Sequence, residues 1–427
     1  MKNDQIVKTC AAHYLESNDF NGITLGNLAT NLGTSPQSLR DPIRKLVEDG
    51  KIHLLGPETG NPHMLASTVT EGFDQLQLLD SPHTNSICVY VAPKLLKDFV
   101  PDNLYSDQPY KRMLALGEPQ FGFRSFDLIV LEHYRNDPRY LYENRDICGR
   151  ICAIDSESEQ PALSESNRVA LKAYRFAYDE ARNRAVAVFL RYLVRLPPSH
   201  QQIWHARQLG NEYRLHPAYY DVVVVGSWKP NTSICDALLG ELCLINRMTE
   251  AMGRPTLFKV DFGELGVDKP SDFNLLIRPT QKEFQAFVSL LDRTLSDNLR
   301  HKFFGSDISF TYEEARKDGT VETKRKGTLR ALGEWLKQSY NVSDDSWDLI
   351  DKNLSVLWEV RKLRQRPAHA IDDNKFDQDL FRQQRELVAR AHAALRTIRM
   401  MMESHPAVQD AGIKIPDSLS QENIYAY

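Results

Sequence analysis

Between Ser343 and Pro367 the apolar residues Trp347, Ile350, Leu354 and Leu357 recur at i, i+3, i+7 and i+10, a stripe down one face of a single long helix. A helix striped on one side gains its stability by laying that stripe against other helices. The neighbouring segments supply them. Thr280-x-x-Glu283 is a capping box ahead of residues 284–304, where Phe284, Phe287, Val288, Leu291 and Leu295 mark one face. A helix is predicted over 328–340, and another over 374–406, stopped at Pro406. Between the first and second of these, residues 306–327 are polar, and Asp318-Gly319 between two β-prone stretches predicts an excursion hairpin. Residues 279–406 are therefore expected to form a complete all-α bundle, with 407–427 a C-terminal tail.

The start of the chain has a different grammar. Asn3 or Asp4 can cap a first helix carrying Ile6, Cys10 and Leu15, and Thr24 a second that Gly33 ends. Ser35 followed by Pro36 opens a third, with Gly50 at its left-handed C-terminal position. The segments 51–55 and 62–68 then predict a hairpin. This layout over residues 1–78 resembles the winged-helix family, which places Gln37, Ser38, Arg40, Arg44 and Lys45 on the would-be recognition helix and implies a DNA or protein partner. Residues 1–70 hold six Lys/Arg against seven Asp/Glu, a poor electrostatic footprint for phosphate, so protein docking stands beside DNA contact.

Residues 79–278 mix strands and helices. The segments 85–93, 125–134 and 219–228 are β-branched and aromatic enough for strands; a helix is predicted over 165–196, up to Pro197-Pro198, and another over 234–253, capped by Ser233. No Gly-rich phosphate loop, Gly-x-Ser-x-Gly elbow or His-Glu-x-x-His occurs. Trp204, His205, His216 and Trp228 could line a ligand site or simply fill a core. The fold class expected for the whole chain is multidomain α+β: an N-terminal winged helix, a mixed α/β middle region that senses a signal, and the helical bundle.

Composition narrows the function classes. The six cysteines are spread along a 427-residue chain; Cys148-x3-Cys152 could be half a metal site, but Cys235-x7-Cys243 lacks the close spacing a second half needs. Reduced thiols and no metal or cofactor are expected. No apolar run reaches the roughly 18 residues of a membrane span, and a cytoplasmic protein without a membrane partner is expected. Net charge is −4, so any nucleic acid must be met by a local patch.

One such patch ends the long helix. Arg361, Lys362, Arg364 and Arg366 fall within six positions, followed by Pro367 and His369. At about 100° per residue Arg361 lies within the apolar stripe and Arg364 at its edge, so two guanidinium groups emerge where leucine is expected. A charge at a bundle seam needs an anion, either an internal carboxylate or a phosphate gripped by two parallel hydrogen bonds. Pro367 breaks the helix, and the broken turn can fold His369 back toward Arg364. Such a pair suits RNA cleavage: His moves the proton of the 2′-OH or of the leaving 5′-oxygen, and Arg stabilises charge on the phosphorane.

Arg364-Gln365-Arg366-Pro367-Ala368-His369 resembles the R-x4-6-H motif of the HEPN superfamily, four-helix bundles whose catalytic members are metal-independent endoribonucleases. The resemblance implies that Arg364 and His369 are catalytic, that Gln365 orients the phosphate or the arginine, and that two protomers join their motifs in a homodimer or higher even oligomer. Gln365 stands where that family most often has Asn, Asp or His. Arg361, Lys362 and Arg366 are expected to bind RNA. Members of the family act in toxin–antitoxin and antiphage systems, which implies a regulated toxic nuclease with an antitoxin or regulatory ligand. The competing expectation is a non-enzymatic winged-helix DNA-binding regulator whose bundle dimerises it.

Overall fold

The computed structural model describes residues 3–57, 60–65, 75–81, 83–144, 148–154, 163–215, 232–263, 269–270, 272–315, 320–365, 373–420 and 423–425. It is a mixed α/β chain with several sheets and a helical C-terminal region. Two compact units divide it, Met1–Glu143 with Cys148–Ser227, and Asn144–Ile147 with Trp228–Tyr427. The boundaries expected near residues 78 and 278 thus fall inside the units.

The first unit begins with α1 (Asn3–Glu16), β1 (Ile23–Thr24), α2 (Leu25–Asn31) and α3 (Pro36–Glu48). The expected caps are in place: Thr24 Oγ1 accepts from Asn27 N at 3.2 Å, and Ser35 Oγ from Ser38 N at 3.3 Å. Then β2 (Ile52–Leu55) and β3 (Cys88–Val91) complete an antiparallel sheet of order β1-β3-β2, with Ile23 opposite Val89 and Ile52 opposite Val91. This corrects the hairpin predicted from 51–55 and 62–68. Residues 61–65 form no strand, and 66–68 lie outside the described residues. Pro62 has no N–H for a ladder, whereas all four residues of β3 are buried and so suit a central strand.

A six-stranded sheet follows: β4 (Phe123–Phe126), β5 (Tyr140–Asn144), β6 (Cys148–Ala153), β7 (Ala170–Tyr178), β8 (Arg184–Phe189) and β9 (Arg214–Leu215), in the order β4-β8-β7-β6-β5 with β9 also on β7. The long helix expected over 165–196 is instead the β7–β8 hairpin and a single turn of helix, Leu190–Leu193. Its turn is closed by Asp179, whose Oδ1 accepts from Asn183 N at 2.7 Å, with Arg182 at φ +62°. Across the pair Arg184 lies 4.0 Å over the Phe176 ring. The strand expected over 125–134 stops at Phe126, because Asp127 Oδ1 accepts from Ile129 N at 3.0 Å and opens a helical turn instead. The segment 219–228, expected as a strand, lies outside the described residues. Helix α4 (Pro198–His205) carries Trp204 into the core.

In the second unit the long helices among the described residues are α5 (Ile234–Ala251), α6 (Gln281–Asp292), α7 (Thr328–Ser339), α8 (Asp344–Gln365) and α9 (Asp379–Glu403). One core joins them, with Leu238, Leu242, Leu291, Trp335, Leu357 and Ile398 among its buried residues. Helix α5, placed by sequence in the middle region, runs along α9. It is buried on nearly every side, which a helix at the heart of a bundle requires. The excursion between α6 and α7 is the hairpin β11 (Thr311–Ala315) and β12 (Val321–Arg325), its turn outside the described residues; β10 (Thr232–Ser233) pairs in parallel with β13 (Ile424–Tyr425).

The helix expected unbroken over 284–304 is interrupted. After α6 comes a π-helical turn, Arg293–Asp297, then a break and a short helix, His301–Phe304. The passing segment 257–260 takes the backbone groups that a continuous helix would use. Lys259 N donates to Asn298 O, Arg300 N to Leu257 O, and the Asn298 side chain is bonded to both backbone groups of Val260.

Candidate functional site

The apolar stripe of α8 is real: Leu354, Leu357 and Val360 are buried, and Trp347 and Ile350 are half-buried against the same core. One turn past Val360 the stripe ends in Arg364, in the last turn of the helix. Its Nη1 donates to Asp292 Oδ2 and to Asp297 Oδ2, both at 2.6 Å. The Asp292 side chain is 0 % exposed, those of Asp297 and Arg364 42 % and 34 %. Arg361 Nη2 stands 3.8 Å from Asp297 Oδ1. The hydrogen bonds it donates to Asp292 and then to Asp297 hold the Arg364 guanidinium above its ordinary pKa.

The anion expected at this seam is therefore an internal carboxylate pair, and the π-turn is what assembles it. Asp292 and Asp297 are five residues apart. In an α-helix that spacing turns side chains well apart, whereas the i→i+5 geometry of a π-turn brings them to one side. Asp292 Oδ1 is buried and carries no hydrogen bond among the described residues.

Both carboxylates grip a single nitrogen. Nε and Nη2 of Arg364 make no hydrogen bond among the described residues. These two N–H groups form one straight edge of the guanidinium, the edge that presents two parallel donors to a phosphate or carboxylate. The site thus combines a restrained arginine with a two-donor edge unbonded among the described residues; Lys362 and Gln365 on α8 and Arg293 on the π-turn are exposed. Arg366 and His369, with Pro367 between them, lie outside the described residues.

Neither carboxylate was foreseen from sequence, although a signal exists. Asp292 interrupts the apolar face of α6, adjoining Val288 and Leu291, just as Arg364 ends the face of α8. Opposite charges intruding into the stripes of two helices of one bundle are candidates for pairing.

Elsewhere the sequence-derived candidates disperse. On α3, Gln37, Ser38 and Lys45 are exposed, while Arg40 and Arg44 are half-buried. Ser38 Oγ is 2.6 Å from the capping Ser35 Oγ, and Arg40 Nη2 reaches Thr84 Oγ1 at 3.5 Å. Trp204 is a core side chain, donating from Nε1 to Tyr134 Oη at 2.9 Å, whereas His205 is exposed. His216 and Trp228 lie outside the described residues. Among the described residues no group of three or more His, Cys, Asp or Glu side chains could hold a metal ion. No family model, curated protein or solved structure matches this chain.

Proposed function

We propose that this chain is a metal-independent endoribonuclease of the HEPN type, a regulated toxin or antiphage effector acting as an even oligomer. The observation that carries the reading is the Nε/Nη2 edge of Arg364, which makes no hydrogen bond among the described residues while carboxylates hold Nη1, five residues before His369. In this reading the edge grips the scissile phosphate and stabilises the phosphorane, while His369 moves the proton of the attacking 2′-OH or of the leaving 5′-oxygen. Gln365 orients the phosphate, and Arg361, Lys362 and Arg366 draw in the RNA backbone. The test is overexpression, with growth and RNA integrity followed against an Arg364→Ala, His369→Ala double variant. Growth arrest and RNA fragmentation by the wild-type chain alone are expected.

A second reading has its own support. The order α1-β1-α2-α3-β2-β3 with sheet order β1-β3-β2, and Gln37 and Lys45 exposed on α3, support a winged-helix reading of this segment. The carboxylates on Arg364 then serve as an internal lock in a bundle that dimerises a DNA-binding regulator. Salt-sensitive duplex binding lost in Lys45→Ala, without RNA cleavage, is the result that favours it.

A further inference from the structure

The two carboxylates that meet at Arg364 Nη1 are unequal. Asp292 has no exposure to water, sits at the end of α6 among the core residues Val288 and Leu291, and reaches its partner through one oxygen. Asp297 is at the surface, and its two oxygens face two different arginines, Oδ2 toward Arg364 at 2.6 Å and Oδ1 toward Arg361 at 3.8 Å. A buried carboxylate beside a guanidinium is held strongly, because separating the two strands a charge away from water. An exposed pair is weak and exchanges readily with other anions.

Resting on the nuclease reading above, we propose that Asp292 is a positioning residue that fixes the Arg364 fork, and that Asp297 is a stand-in for the substrate. Asp297 occupies the space between Arg361 and Arg364 until a phosphodiester of RNA displaces it. The chemistry matches: a carboxylate and a phosphodiester each offer two anionic oxygens to paired guanidinium groups. When Asp297 leaves, Arg361 and the side of Arg364 Nη1 that it held turn to a backbone phosphate, while Asp292 keeps its own hold on Nη1 and so keeps the Nε/Nη2 edge aimed at the scissile one. The π-turn lets one short segment carry both, the buried clamp and the exposed gate, five residues apart.

The two roles separate in kinetics. In the full chain, Asp297→Asn removes the competing charge and leaves the clamp. Affinity for a labelled single-stranded RNA of mixed sequence, carrying a 2′-deoxy block against cleavage, should rise about two- to fivefold. The dependence of log affinity on log salt should steepen by about one phosphate contact. Asp292→Asn should leave that affinity nearly unchanged while the saturated rate falls on the order of a hundredfold, since a misaimed donor acts on the barrier and not on binding. A merely structural role for either residue moves neither the salt slope nor the ratio of rate to affinity in these directions. If Asp292→Asn does not fold by circular dichroism, the surface variant decides alone. Unchanged or weakened RNA binding by Asp297→Asn, with Arg364-dependent cleavage intact in the wild type, overturns this proposal and leaves the nuclease reading standing. Absence of any Arg364-dependent cleavage in the wild type overturns both.

Discussion

Arg399 donates from Nε to Glu241 Oε2 at 2.5 Å, a pair joining α9 to α5 with side chains 4 % and 0 % exposed. Glu403 accepts from Arg399 Nη1 at 3.0 Å, and His392 Nε2 stands 3.7 Å from the other Glu241 oxygen. Burial raises the Glu241 pKa, and the Arg399 charge works against that rise. Removing the arginine strands a carboxylate in the core, so Arg399→Met should lower unfolding free energy by about 3–5 kcal/mol in urea denaturation. The Glu241→Leu, Arg399→Met double variant should recover most of that loss. In the single variant the loss should shrink as pH falls, because protonation neutralises the stranded carboxylate. Wild-type stability in Arg399→Met would mean that the pair holds nothing together.

Legibility in the sequence followed locality. Helix α3 is bounded by its own residues, Ser35, Pro36 and Gly50, and α8 is marked by its own stripe. The β7–β8 hairpin was not legible. Its apolar residues fit a helical period as well as a strand, and its turn places Arg182, not a glycine, at positive φ. Pairing on both sides of β7 settles the matter, and pairing is a tertiary fact. The same division runs through the site. Arg364 at the edge of a stripe can be counted off in turns of helix, whereas the convergence of Asp292 and Asp297 depends on a π-turn beside the break that residues 257–260 impose at Asn298.

His200 is 2 % exposed and its Nδ1 lies 2.8 Å from Tyr134 Oη. Burial, with His133 and Arg139 nearby, lowers its pKa to about 4. An unfolded histidine takes its proton near pH ~6.5, so between that value and about 4 the unfolded chain binds the extra proton. The contribution is fully present above pH ~6.5 and is lost as pH falls toward the folded value, by at most about 3 kcal/mol. Denaturation midpoints measured across this range should slope downward with acid in the wild type and flatten in His200→Gln. An equal slope in both chains would assign the acid sensitivity to other groups.

Metal and pH dependence test the proposed chemistry directly. Proton transfer by His369 predicts cleavage that survives EDTA and leaves a 2′,3′-cyclic phosphate, with a rate that depends on pH around histidine's ordinary ~6.5. His369→Ala should abolish product formation while RNA still binds. Loss of activity on chelation, restored by a divalent ion, would sink the metal-independent mechanism.

Arg364 and Lys362 separate binding from chemistry. Lys362 is exposed and makes no hydrogen bond or ion pair among the described residues, so it can serve RNA only as a point charge. Lys362→Ala should weaken binding in a salt-dependent way, reducing the slope of log affinity against log salt by about one, and leave the saturated cleavage rate nearly intact. Arg364→Lys keeps a cation within reach of Asp292 and Asp297 but loses the planar Nε/Nη2 edge. Single-turnover cleavage at saturating RNA should therefore fall on the order of a hundredfold, the scale of removing one donor aimed at developing negative charge. RNA affinity should change little, since the local charge is preserved. If Arg364→Lys cleaves saturating RNA at the wild-type rate, the guanidinium edge is not aimed at the scissile phosphate, and Arg364 is an electrostatic contact like its neighbours.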